Sequence, residues 1–137
     1  MGKFQPMFLA AMLAAALPSA ARAQSCALPQ KPMVEAQMMF GRNIGGVLGV
    51  TERRWARFLE AEIVPRFPDG LSVVDAAGQW RDAKSGRLIR EPSKMVVIVT
   101  PQDAGLQERI GAIVDSYKRR FRQDSVGVVI RQACVSF

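Results

Sequence analysis

From Val34 the chain alternates, with Val34, Ala36, Met38 and Phe40 on one side and Glu35, Gln37 and Met39 on the other. That period of two predicts a strand with one buried and one more polar face. Ahead of it, residues 27–32 hold two prolines and read as an irregular lead-in. Gly41 to Gly49 follows as a glycine-rich, flexible connection. Thr51 suits a helix N-cap with Glu52 in the first turn, and Trp55, Phe58, Leu59 and Ile63 then recur at helical spacing. Pro65 predicts the end of this helix near Val64.

Phe67-Pro68-Asp69-Gly70 has turn chemistry, and Leu71 to Asp75 reads as a second strand. Gly78 and Lys84-Ser85-Gly86 look like reversal points. Gln79–Asp82 and Arg87–Glu91 are therefore predicted to form an extra hairpin after the second strand. Lys94 to Val99 is an unbroken apolar run behind one lysine, the mark of a central strand covered on both sides. Thr100-Pro101 suits a cap and first helical position, with Asp103 in the first turn. Leu106, Ile110, Ile113, Val114, Tyr117 and Phe121 mark the buried stripe of this second helix. Lys118, Arg119, Arg120 and Arg122 crowd the negative end of its dipole. Val126 to Val135 is the last strand.

The order β-α-β-β-α-β predicts one α+β domain over residues 24–137, a ferredoxin-like split β-α-β sandwich with two helices on one sheet face. The sheet is expected to be antiparallel or mixed, with strands one and three adjacent and parallel and strand four antiparallel to strand one. This topology brings the end of strand four beside the start of strand one, and so Cys134 close to the segment carrying Cys26. These are the only two cysteines, and a Cys26–Cys134 disulfide is expected.

An oxidising compartment agrees with residues 1–23, which have the build of a secretory signal peptide. Lys3 is followed by the apolar run Met7 to Leu17, a Pro18-Ser19 break and Ala21-Arg22-Ala23 as a small-x-small cleavage pattern. The run is shorter than the roughly twenty apolar residues of a membrane span. Ala23-Gln24-Ser25 lacks the aliphatic residue expected before a lipidated cysteine, so export to the periplasm or medium is favoured over an anchor at Cys26.

Composition narrows the chemistry. There is no histidine, which removes the commonest general base and metal ligand, and two cysteines cannot build a thiolate zinc cage. Neither a metal nor another cofactor is expected. The formal net charge of +7 falls to +5 when Lys3 and Arg22 leave with the leader. The basic residues after Tyr117 are explained by the helix dipole, and no aromatic-studded basic strand is present to stack bases. Nucleic acid is therefore not an expected partner. The glycine-rich connection lacks both the Gly-x-Gly-x-x-Gly spacing and a Lys-Ser/Thr sequel, so it is no phosphate loop. Asp69, Asp75, Asp82 and Glu91 fall on or near the second strand and its hairpin, and two of them could act as an acid/base pair. The constellation with the most recognition character is Arg66, Asp69, Trp80, Arg81, Glu91 and Lys94. Here an indole stands among polar residues and two guanidiniums could grip a carboxylate or phosphate. The same charges could equally pin the hairpin to the turn.

Trp55-x-x-Phe58-Leu59, Pro65-Arg66-Phe67-Pro68-Asp69-Gly70-Leu71, Gly78-Gln79-Trp80-Arg81 and Arg90-Glu91-x-Ser93-Lys94 together resemble the bacterial family called domain of unknown function 3574, over about Met33 to Cys134. The resemblance implies a small exported or lipid-anchored single domain and transfers no catalytic residue. The expected function is a non-catalytic binding or envelope accessory domain, with Trp80, Arg81 and Arg66 contacting an anionic small ligand or partner. The alternative is a small histidine-free enzyme using hairpin carboxylates within a ferredoxin-like dimer. A homodimer or a protein partner is expected on the open sheet face.

Overall fold

The computed structural model describes residues 25–137; the leader expected over residues 1–23 lies outside them. Four strands form the main sheet: β1 (Lys31–Gly41), β4 (Ser72–Arg81), β5 (Leu88–Thr100) and β6 (Gly127–Val135), in the spatial order β4-β5-β1-β6. Between β1 and β4 lie the two-residue strands β2 (Asn43–Ile44) and β3 (Val47–Leu48) and helix α1 (Glu52–Phe58); α2 (Leu106–Phe121) joins β5 to β6. Both helices cover one face, which is the expected α+β architecture.

The first and third main strands are adjacent as expected, but β1 and β5 run antiparallel rather than parallel, and no pair in the sheet is parallel. The reason is connectivity. The crossover through α1 makes β4 parallel to β1, and the tight hairpin reverses the chain once more before β5 inserts between them. There is also no extra hairpin: β4 and β5 are one continuous ladder from Ser72↔Val97 to Arg81↔Leu88. Gly78 sits inside β4 opposite Glu91, and the chain reverses only at Asp82–Arg87. There the Asp82 carboxylate accepts from the Ser85 amide and hydroxyl, and Gly86 takes a φ of +67°.

Helix α1 is capped as its sequence predicts, the Thr51 hydroxyl accepting from the Arg54 amide. It then widens to a π turn over Leu59–Ile63 and tightens to a 3₁₀ turn over Val64–Arg66, running through Pro65 instead of stopping before it. Pro65 has no N–H for a regular helical bond, and the changed winding removes the need for one. Helix α2 starts later than expected. Thr100 ends β5, and an irregular stretch to Gly105 is fixed by Asp103, which accepts from the Gly105 amide and holds the Arg109 guanidinium through both oxygens. The glycine-rich connection is an ordered hairpin. Gly45 and Gly46 both have positive φ (62° and 85°), the combination a two-residue turn of this hand requires.

The core lies between the helices and the inner face of the sheet. Val34, Ala36, Met38 and Phe40 of β1 and Val96 and Ile98 of β5 meet the stripe Leu106, Ile110, Ile113, Tyr117 and Phe121. Phe40, Trp55, Phe58, Tyr117 and Phe121 form one aromatic cluster, with Tyr117 ring centroids 4.7 to 4.9 Å from those of Phe40, Phe58 and Phe121. Cys26 and Cys134 are joined in a disulfide with Cα atoms 5.4 Å apart, and Pro32 is the cross-strand partner of Cys134. The edge-to-centre adjacency read from the topology thus holds. Among the described residues no helix is long and apolar enough to cross a membrane.

Candidate functional site

Six residues with recognition character were expected together, and the fold distributes them over four places. Lys94 faces the helices and is buried. Its ammonium pairs with Asp75, its cross-strand partner, and with Glu52 at the start of α1. Glu52 also holds the buried Arg42, whose Nε–H donates to the Val50 carbonyl. The hydrogen bond to Asp75, then that to Glu52, raises the Lys94 pKa against its burial, and the hydrogen bond from Lys94 lowers both carboxylates. Two desolvated cations are thereby neutralised by two carboxylates at the rim, which seats α1 on the sheet. Arg81 is at the exposed far end of β4 and donates to the Gly86 carbonyl. Arg66 bonds the Glu62 carbonyl and carboxylate and lines a small cavity with Asp69.

Trp80 and Glu91 are the two that the structure brings into one cleft, and it lies on the sheet face away from the helices. The alternation along β4 and β5 sends Gly78, Trp80, Ile89, Glu91 and Ser93 to that face, and Met39 reaches it from β1. The β2–β3 hairpin and the segment after α2 close the far wall, tied together by the Gln123 amide donating to the Asn43 carbonyl at 2.6 Å. The cleft has a volume of about 740 Å³, within the range of small-molecule sites.

Glu91 dominates its chemistry. The carboxylate accepts one hydrogen bond, from the Asn43 backbone N–H at 3.1 Å, and has no ion-pair partner among the described residues. It is packed against Gly41, where an added Cβ would lie 2.5 Å from Oε1. Glu35, on the same face at the opposite end of β1, makes the contrast. Bonds from Gln37 and then Arg131 lower its pKa, and Arg131 contacts both of its oxygens. Trp80 is 45% exposed and offers its ring to the cleft opening. Behind Gly41, the Tyr117 hydroxyl donates to the Gly41 carbonyl at 2.8 Å, and burial pushes its phenol above the ordinary 10.0.

The four candidate acid/base carboxylates do not pair. Asp75 is on the helix face with Lys94, Asp82 caps the hairpin turn with its pKa lowered by Ser85, Asp69 is at the α1–β4 turn, and Glu91 is the one of the four in the cleft, whose wall also carries Asp124. Among the described residues no three acidic or cysteine side chains cluster so as to hold a metal. Sequence reasoning missed Gly41 at the end of β1, Ser93 on β5, Asn43 on the β2–β3 hairpin and Gln123 after α2, which only the tertiary fold brings together. The one signal was Met39, an apolar residue on the otherwise polar side of the first strand.

Two helices on one face of a four-stranded antiparallel sheet, with the Glu91 cleft on the other, define a ferredoxin-like α+β domain. The chain belongs to the family described as "Protein of unknown function (DUF3574)", which matches residues 35–137. No curated protein matches the sequence. Among solved structures, a phage SAM lyase in complex with S-methyl-5'-thioadenosine is similar with a TM-score of 0.60 at 18% identity, covering 87% of this chain and 97% of that one. The same lyase in its apo state has a TM-score of 0.57 at 19% identity, covering 77% and 86%. CutA from Synechococcus elongatus PCC7942 has a TM-score of 0.50 at 10% identity, covering 77% and 80%. At these identities the likeness is one of fold.

Proposed function

We propose that the protein binds a small organic cation carrying a flat ring, with Glu91 as its counter-charge and Trp80 as its stacking surface. The observation that carries this reading is the Glu91 carboxylate, which sits in a partly apolar cleft with a single backbone amide for company. A carboxylate so placed gains from a ligand cation the counter-charge that no described residue supplies, and an indole beside it adds attraction for the same charge. Arg66 and Arg81, the guanidiniums expected to grip an anion, lie outside the cleft, and the one arginine on its wall, Arg122, is accompanied there by Asp124.

The fold shared with the lyase makes S-adenosylmethionine, a sulfonium with a purine, the first probe. Trp55 is buried in the core, so fluorescence changes on titration report Trp80. Binding of S-adenosylmethionine should weaken at least about tenfold in Glu91→Gln, and S-adenosylhomocysteine, which lacks the S-methyl group and with it the sulfonium charge, should bind weaker by a similar factor. Equal binding of the two compounds, or an unchanged Glu91→Gln, defeats the proposal. A second reading, that the domain is a small histidine-free enzyme, draws on the same fold likeness. Release of S-methyl-5'-thioadenosine needs one C–S bond to break with its electron pair passing to sulfur while an oxygen of water or of the substrate's own carboxylate bonds to the vacated carbon, so chromatography of an incubation mixture tests it directly.

We also propose that residues 24–137 act as an exported single domain after loss of the leader. The disulfide and the signal-like residues 1–23 support this, and the intact mass of protein from the periplasm or medium tests it. Met39, Val74 and Val129, each more than 40% exposed on the open sheet face, support a homodimer or partner protein there. Sedimentation at tens of micromolar decides the dimer version.

A further inference from the structure

A second cavity lies at the other end of the molecule, on the helix side of the sheet. Its walls are the turn Arg66–Gly70, the end of β5 and the stretch leading into α2, and its volume is about 250 Å³. Arg109 forms one wall, clamped to Asp103 through both terminal nitrogens and stacked over Phe67 at 5.3 Å. With its geometry fixed in this way, its Nε is closed off from the cavity as well as from any hydrogen-bond partner among the described residues, so Arg109 shapes the wall and offers no free donor. Thr100 faces the same space. It is only 8% exposed, and its hydroxyl makes no hydrogen bond among the described residues. Arg66 spends one terminal nitrogen on Glu62, and its other N–H groups are uncommitted. Asp69 lines the cavity with neither an ion pair nor a hydrogen bond from any described residue.

The unspent groups are therefore complementary in kind. The free edge of the Arg66 guanidinium and the Thr100 hydroxyl can donate to an anionic oxygen, while the Asp69 carboxylate can accept from an ammonium. A simple anion would satisfy Arg66 but face Asp69, and a simple cation would satisfy Asp69 but face Arg66, the Arg109 charge being already offset by Asp103. A ligand carrying both charges a few bonds apart meets both sets. We infer that this cavity binds a compact zwitterion of the α-amino-acid class, its carboxylate toward Arg66 and Thr100 and its ammonium toward Asp69. The site is separate from the Glu91 cleft and stands or falls independently of it.

The volume restricts the ligand to a small side chain. With about six non-hydrogen atoms at well under 1.5 kcal/mol each, the expected Kd is roughly millimolar. Isothermal titration of the intact protein with L-alanine, acetate and methylammonium tests the assignment. L-alanine should bind at least about tenfold more tightly than either single-charge fragment. Asp69→Asn should weaken it about tenfold, with near-ultraviolet circular dichroism unchanged, since Asp69 is exposed and unpaired. Thr100→Val, which keeps the shape, should weaken it several-fold, and Trp80 fluorescence titrations of the cleft should be untouched by either variant. Acetate binding as tightly as L-alanine would make this an anion site and overturn the inference. So would an Asp69→Asn protein that binds L-alanine normally, or the absence of heat with L-alanine and glycine at about 50 mM, which would leave water as the only occupant.

Discussion

Replacing both cysteines, Cys26→Ser with Cys134→Ser, perturbs the denatured chain far more than the folded one. The bridge spans 108 residues of sequence, and the chain-entropy relation gives about 4.7 kcal/mol for a loop of that length at 25 °C. The structure lowers this figure. Cys26 sits in a lead-in whose one backbone bond outside helices and strands runs from the Gln30 amide to the Ala27 carbonyl, so without the bridge that segment frays and the native state recovers some entropy. We expect a loss of about 2.5 to 4.7 kcal/mol. Taking an unfolding entropy of roughly 2.1 cal/mol/K per residue over the described residues 25–137, the Tm should fall by about 10–20 °C. Urea unfolding followed by far-ultraviolet circular dichroism adds a second readout. The m-value should rise, because an open denatured chain exposes more surface than a looped one. A loss below about 1 kcal/mol with m unchanged would refute the reasoning, by showing that the bridge closes no costly loop.

Two further predictions follow from the geometry of the charged groups. Asp75, Glu52, Glu35 and Asp103 all have lowered pKa values, through their bonds to Lys94, to Lys94, to Gln37 and Arg131, and to Arg109 respectively. Their contribution is present above the ordinary values of 3.8 for Asp and 4.5 for Glu and is lost as pH falls through the lower folded values, so thermal stability should drop on acidification below that range. Lys94 and Tyr117 are raised from 10.5 and 10.0, so their contributions are complete below those values and are lost as pH rises beyond them; a Tm flat from pH 6 to 9 and falling at both ends is the expected scan. Gly41→Ala should leave stability within about 1 kcal/mol of wild type, because the added carbon meets only the movable end of Glu91. It should nonetheless weaken S-adenosylmethionine binding as Glu91→Gln does, and fluorescence titration beside a urea curve separates the two effects.

Elements driven by local periodicity were legible in the chain. The alternation Val34 to Phe40, the run Met95 to Val99 and the stripe from Leu106 to Phe121 each specify one buried face, and each is found where its period puts it. The Cys26–Cys134 pairing was legible because it needs only strand adjacency. Strand direction was misread because periodicity carries no sign, which is set by counting reversals along the connections. Thr100-Pro101 had the chemistry of a helix start, yet the ladder to Val34 holds Thr100 in the sheet, a tertiary constraint invisible in a dipeptide. The site was only half legible. Trp80 and Glu91 are cross-strand neighbours within one hairpin, a short-range relation, whereas Arg66 and Arg81 were grouped with them by charge, which carries no position. Each lies elsewhere and makes a local bond, to the Glu62 side chain and to the Gly86 carbonyl. Arg109 drew no notice as a cavity wall because its helix position at i−1 from Ile110 reads simply as a solvated face.

The unequal lengths of the strands have a mechanical consequence. β1 accompanies β5 only from Ser93 onward, whereas β4 and β5 stay paired out to Leu88 and Arg81, so the last part of the hairpin stands clear of the sheet as a cantilever. Its root is clamped by the Arg42 amide on the Pro92 carbonyl and the Asn43 amide on Glu91, and Trp80 rides near its tip. From Pro92 to Ile89 the lever arm is about 10 Å, so a rotation of roughly 10° at the root carries the indole by nearly 2 Å. Any shift at those two backbone amides is thus magnified at the cleft mouth, while the aromatic interior lies on the opposite face of the sheet.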